Sequence, residues 1–462
     1  MTGRIFKAIT NKNKFSIIIF VYQIYRINKI IKVFVKIFPT LFFFATSFFQ
    51  ISAQQIDSLS QQFTTNIEIR PRAEYTSNYI LPPNVSDDPY FYITQRNRFS
   101  MQYAREKWLI KADLQEIHLW DKNNESSKVG SINFYQLFIE TKFKSLNIRL
   151  GRQSVLLDNG RLFSDAPWAQ QGRAHEGIRI MKYSKHISND FFFLFTRNYS
   201  TEFEPTYSPV ASNKYKYLLV NNFSYNSNKE FSFNSMTAVD FLENTNSGQM
   251  YTRATAGGRI EFKKKQWYYT LNSYLQFGRN ATGQKLFAYY FQPEIKLSLQ
   301  KSSWRLGAEL ISGSNPDLAD NSSGNFDVLY GVTWKFNGNM NVFTRFPNDV
   351  GGKGLINPYL FTTIPLNSKL SIRSDFHLFY TQYPQLNNLG QETTKFLGFE
   401  NDFSLKYTPV KELEINYAFS FYKSTKAMKY LPKIQDENKL ASWSYLMVSY
   451  SFNAVNLKRY KN

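Results

Sequence analysis

Residues 369–380 read KLSIRSDFHLFY, and the stretch alternates. Leu370, Ile372, Phe376, Leu378 and Tyr380 fall on one side of an extended chain, and Arg373, Asp375 and His377 on the other. A period of two predicts a strand with one apolar and one polar face. The same rhythm runs through NIEIRPRAEY (66–75), RNRFSMQYA (96–104), WLIKADLQ (108–115) and ELEINYAFSFY (412–422). A soluble sandwich would also alternate, with its apolar faces meeting in a dry core. Here the polar faces are dense with Arg, Lys, Asp and Glu, and the apolar faces are rich in Phe and Tyr. The runs recur at about ten residues, the length a tilted strand needs to cross a bilayer.

Composition points the same way. The chain has 462 residues with 43 Phe, 31 Tyr, no Cys and a formal charge of +21, yet its mean hydropathy is −0.41. Being so aromatic and so hydrophilic suits a wall that is greasy outside and wet inside. The absence of Cys excludes disulfides and thiolate chemistry, so an exported chain must be held another way, and closed backbone pairing provides one. The four histidines (His118, His175, His186, His377) have no metal-ligand spacing, and no cofactor motif is present.

The first residues differ from the rest. Lys32 and Lys36 precede an apolar run from Phe38 to Phe49, with Ser52 and Ala53 before polar Gln54. This reads as a signal peptide over 1–53, with a longer leader than usual, and a membrane anchor over Val33–Ala53 is the alternative. Residues 1–53 hold eight basic and no acidic side chains, so cleavage lowers the charge from +21 to about +13. Export removes nucleic acid as a partner and leaves lipid or an anionic solute.

Short polar turns such as NSNKE (226–230), NSK (367–369) and TPVKE (408–412) alternate with long loops at 79–90, 121–131, 312–326 and 424–438. That is the barrel pattern of short periplasmic turns and long outer loops. Nineteen candidate strands lie between Thr64 and Phe452, and bacterial barrels have even counts. The least regular, between Phe326 and Arg345, is assigned to a loop. The fold expected is all-β: one transmembrane antiparallel barrel of about 18 strands. The divisions are a linker at 54–63, the barrel at 64–453 and a tail at 454–462. Trp108, Trp267, Trp304 and Trp443 read as girdle residues at the lipid interface.

The rhythm breaks once, early, in GRQSVLLDNGRLFSDAPWAQQGRAHEGIRI (151–180). SLNIRLGRQ (145–153) and GRAHEGIRIMKY (172–183) read as strands. Irregular backbone at membrane depth is tolerated only inside the protein or against water, so VLLDNGRLFSDAPWAQQ (155–171) between them is expected to fold into the lumen as a constriction. Asp158 and Asp165 are available there to orient guanidiniums.

The run GRQ…NGRLF…PW…QGR…EGIRI resembles the signature segment of the alginate-export family of outer-membrane porins. RPRAEY (70–75), RNRFSM (96–101), SGSNPD with FDVLYG (312–331), GFENDFSLKYTPVKELEINYAFSFY (398–422) and SWSYLMVSYSF (442–452) resemble its other strands and loops. KFLGFENDF (395–403) departs from it, having Lys395 and Phe396 where that family has a His-Tyr pair. The resemblance implies an 18-stranded monomeric porin of the Gram-negative outer membrane, not an enzyme. It would pass an acidic polysaccharide or oligosaccharide such as alginate by diffusion, with periplasmic export or degradation partners. The pore-lining residues it implies are Arg72, Arg96, Arg98, Lys111, Asp113, Arg149, Arg152, Arg161, Asp165, Arg173, Glu176, Arg179, Arg373 and Asp375. The alternatives are a barrel hydrolase or a structural barrel with no anion preference.

Overall fold

The structure is a computed structural model and describes residues 59–78, 89–120, 131–196, 215–227, 230–244, 246–315, 322–432 and 440–460. The expected signal peptide, most of the loops at 79–90 and 121–131, and parts of those at 312–326 and 424–438 lie outside these residues. The first strands are β1 (Leu59–Ser77), β2 (Tyr90–Arg105), β3 (Trp108–Leu119), β4 (Ser131–Phe143), β5 (Leu146–Gln153) and β6 (His175–Tyr183). There follow β7 (Ile187–Phe195), β8 (Tyr217–Asn226), β9 (Phe231–Glu243), β10 (Met250–Lys264), β11 (Trp267–Arg279) and β12 (Lys285–Ser298). The last are β13 (Ser303–Ile311), β14 (Ser322–Ser323), β15 (Leu355–Pro365), β16 (Leu370–Tyr380), β17 (Phe396–Val410), β18 (Leu413–Ser424) and β19 (Leu440–Tyr460).

Each wall strand pairs antiparallel with its neighbours, and β1 pairs with both β2 and β19, so the sheet closes on itself. The two-residue β14 lies parallel to β12, while β13 pairs directly with β15. The wall therefore has eighteen strands. As expected, the segment between Phe326 and Arg345 contributes none of them.

Two boundaries shift. Residues 59–63 and 454–460, read from sequence as linker and tail, pair with each other: Phe63 sits opposite Leu457 and Gln61 opposite Arg459. Neither segment has a strong pattern alone, and each becomes a strand because the other satisfies its backbone.

The outer face explains the aromatic content. On β12, Phe287, Tyr289 and Phe291 are exposed while Leu286, Ala288 and Tyr290 between them are buried. Large exposed apolar side chains recur on most strands, for example Leu150, Leu275, Leu306 and Phe376. A closed wall with such a face is stable only in lipid. Trp108, Trp267 and Trp304 lie on this face beside the short turns. Trp443 does not: it is buried inside, donating to Glu74 Oε2 at 3.1 Å.

The interior is less open than a charged water column would be. On β7, Phe192 and Leu194 are fully buried inward while Phe193 and Phe195 face out. They join a core with Phe163, Phe326, Met340, Phe343 and Phe379 that lies inside the barrel. This is where alternation gives way to continuous apolar sequence: strands covered by an inward loop are greasy on both faces.

A charge on the lipid face should be costly. Leu275→Arg, within the belt, is expected to lower unfolding stability in lipid by about 2–4 kcal/mol, measured by denaturant titration of vesicle-embedded protein.

Candidate functional site

Two segments fold into the barrel from the long-loop end: residues 154–174, between β5 and β6, and residues 324–354, between β14 and β15. The first turns tightly, with Leu157 N donating to Phe163 O at 3.2 Å and Gly160 N to Leu157 O at 3.0 Å. The two then zip together, Tyr330 N to Leu162 O at 2.9 Å and Ser164 N to Tyr330 O at 3.1 Å. Gly331 makes this approach possible, because a Cβ there would sit 1.7 Å from Arg161 O.

A loop in the lumen carries carbonyls that no strand satisfies, and arginine supplies donors in a fork. Arg70 donates to Pro167 O at 2.7 Å and Ala169 O at 2.9 Å, and Arg96 to Ala169 O at 3.1 Å. Arg72 donates to Trp168 O at 3.1 Å with its guanidinium 4.0 Å above the Trp168 ring. Glu74 and Glu68 neutralise two of them, at 2.7 Å from Arg72 Nε and 2.8 Å from Arg96 Nε. Across the barrel Arg161 is fully buried against Glu309, Nε to Oε1 2.8 Å, and donates to Val332 O at 3.2 Å. Arg173 donates to the carbonyls of Tyr330 and Gly331. Arg259 holds Asp158 at 3.0 Å, and Arg253 bonds Asp240 and also Asp327, the latter at 2.7 Å.

This corrects the expected roles of Arg72, Arg96, Arg161 and Arg173. Each spends donors on constriction-loop backbone, and Arg161 is shut away from the lumen. Asp165 is not a guanidinium clamp either, since its backbone carbonyl accepts from Arg173 N at 2.7 Å and its Oδ1 is buried without a partner.

Arg152 and Glu176 are also misplaced by the sequence reading. They pair with each other at 3.0 Å on the outer face, in register with Leu137 and beside Leu150 and Ile178. The period of two puts Arg152 on the side of Leu150, so alternation already opposed a lumenal position.

The remaining residues face inward. Arg98 lies 3.9 Å over the Tyr135 ring. Lys111 is 3.5 Å from Asp113, which also accepts from Gln136 at 2.7 Å. Arg149 pairs with Glu140 at 2.7 Å, Arg179 with Asp190 at 3.1 Å, and Arg373 with Asp375 at 2.6 Å.

Toward the short-turn end, Lys296, Ser303, Arg305, Phe361, Thr363 and Arg373 line a small cavity of about 60 Å³ on the inner wall. Sequence reasoning missed Lys296 and Arg305, although both alternate with outward apolar residues on β12 and β13. The register brings them together: Lys296 faces Arg305, Arg305 faces Phe361, and Thr363 faces Arg373. Arg305 reaches Glu294 only at 3.4 Å, and among the described residues no carboxylate lies within ion-pair distance of Lys296. Lys335, on the second loop, donates to Asn159 O at 2.6 Å. Burial, then the nearby Arg259 and Arg305, lowers its pKa below that of an ordinary lysine, and Asp158 opposes them in part. Among the described residues no cluster of three or more His, Asp or Glu is placed to hold a metal ion.

No protein-family model matches the sequence, and none of the curated proteins does. Solved structures do share the fold. OccAB3 of Acinetobacter baumannii superposes with a TM-score of 0.60 at 12% identity, covering 85% of this chain and 99% of that one. OpdK of Pseudomonas aeruginosa, solved with vanillate, gives 0.58 at 11% identity over 85% and 98%. OccK8 (OprE) of the same organism gives 0.58 at 11% over 85% and 98%. The fold is that of a closed eighteen-stranded antiparallel barrel, and its unbroken wall with an apolar outer face belongs in an outer membrane. The resemblance to the alginate-export family is overturned: no family model supports it, and the solved structures that share this barrel include OccAB3, OpdK and OccK8. The basic segment that suggested it anchors loops, a need that many inward-folded loops share.

Burial separates the arginines by role. Arg161→Met leaves Glu309 in a dry site with the Tyr290 hydroxyl but no cation, and is expected to cost about 3–5 kcal/mol of unfolding stability. Arg152→Gln on the outer face should cost under about 1 kcal/mol. Matched denaturation curves compare the two.

Proposed function

We propose that the barrel is a passive outer-membrane channel for small anionic solutes, carboxylates above all. The observation that carries this reading is the inner-wall group of Lys296, Arg305 and Arg373 with the hydroxyls of Ser303 and Thr363, incompletely neutralised by Glu294 and Asp375. Guanidinium keeps its charge, and Lys296 and the hydroxyls add donors, so a carboxylate finds a shallow seat there. Shallowness matters, because a solute must leave as readily as it arrives. The small cavity suits one carboxylate group rather than a sugar chain. That OpdK, which shares the fold, was solved with vanillate, a small aromatic carboxylate, supports the same class of solute. The arginine-clasped loops would narrow the path above this seat and leave small solutes as the passengers.

Planar-bilayer recording under a KCl gradient tests the reading. The wild-type channel is expected to reverse on the anion-selective side, and benzoate to reduce its current. Lys296→Gln with Arg305→Gln should weaken the benzoate effect about two- to five-fold per charge, the size of an exposed ion pair. Cation selectivity, or no conductance at all, would exclude the proposal.

A further inference from the structure

The second inward loop is pinned to the wall by two carboxylates. Met340 N donates to Glu400 Oε1 at 2.7 Å, and Asn339 N donates to Asp402 Oδ2 at 3.0 Å. Both acids sit on the inward face of β17, two residues apart, and Glu400 is fully buried. Gly338 lets the turn come so close: its φ is +84°, and a Cβ would meet Glu400 Oε1 at 2.3 Å.

The pair lacks a cation. Among the described residues no lysine or arginine lies within ion-pair distance of either acid, and the nearest basic nitrogen is His377 Nε2, 3.9 Å from Asp402. Glu400 Oε2 and Asp402 Oδ1 are buried without a hydrogen-bond partner. The groups facing them are few. From β16 come Asp375, which is held by Arg373, and His377, whose Nδ1 is 3.1 Å from Asn357 Oδ1. From β18 come Ser420 and Tyr422, the latter donating to Leu397 O at 2.9 Å, and from β19 the Tyr445 hydroxyl interacts with Asp402. The docked turn, 337–340, carries no charge.

We propose that Glu400 and Asp402 form a proton-held latch for the constriction loop. With one proton shared between them, a single negative charge accepts the two backbone N–H groups and the orphan oxygens are satisfied. Without it, two like charges face each other in a dry site and expel the turn. The undocked carboxylates meet water and ionise freely, so the docked state binds more protons. Docking therefore weakens as pH rises.

The chain has no cysteine, so Asn339→Cys carries a single nitroxide label without background. In the full-length barrel in lipid vesicles, the label's spectrum is followed from about pH 5 to about pH 10. An immobile label that becomes mobile on the alkaline side is expected. Glu400→Gln should remove the transition or move it by about one pH unit or more, because Asp402 then loses its repelling partner on β17, while Asp375 opposite it stays neutralised by Arg373. His377→Gln should leave it in place. Gly338→Ala should give a mobile label at every pH in a barrel that still shows heat-modifiable gel migration. A label equally immobile at all pH values, a transition unchanged in Glu400→Gln, one abolished by His377→Gln, or a Gly338→Ala label that stays immobile would each overturn the latch. The readout needs no solute and is independent of what the channel carries.

Discussion

Everything in this molecule depends on the seam between β1 and β19. Those strands pair from Leu59 opposite Tyr460 to Ser77 opposite Ser442, turning an open sheet into a cylinder with no free edge within the membrane. In hydrocarbon an unpaired N–H or C=O costs several kcal/mol, so closure is the condition under which the sequence can fold there. Once the wall is shut, its two faces meet different solvents, and each strand's alternation becomes useful: Phe287 and Tyr289 toward lipid, Ala288 and Tyr290 inward.

Closure creates a second requirement inside. A lumen this wide fills with water unless chain is folded into it, and chain folded into it brings unpaired carbonyls. The arginines answer that requirement. Arg70, Arg72 and Arg96 hold the 167–170 turn from one wall, while Arg161 and Arg173 tie the two loops to each other and to β13. The glutamates beside them temper the charge, so the clasp is a network more than a bare basic patch. A constriction built this way is rigid where guanidiniums grip it and adjustable where the grip depends on a proton.

On the proposed reading, attraction for anions and support of the loops come from different arginines. The deeply buried ones have their donors committed. Lys296, Arg305 and Arg373 remain with weaker or partial neutralisation, toward the short-turn ends of β12, β13 and β16. Arginine density along the chain marks where a loop needs donors, and the solute's route depends on which cations are left over.

Much of this was legible in the residues themselves. Alternation in KLSIRSDFHLFY and its counterparts is local and fixes strand faces, because side chains on a strand have no choice but to point to opposite sides. The same rule would have placed Arg152 outside had it been applied to Leu150 and Arg152 together. The irregularity of 151–180 and of 326–345 marked the segments that leave the wall. The partners were not legible: Arg70 finds Pro167 97 residues away, and Arg161 finds Glu309 at a separation of 148. Such pairings depend on barrel closure and strand register, which no local pattern encodes. The sequence alone thus determined strands with one lipid-facing side and a segment that leaves them, since periodicity and hydropathy act residue by residue. Only the tertiary structure decided which charges hold the loops and which face the passage, because burial and neutralisation are properties of distant groups brought together.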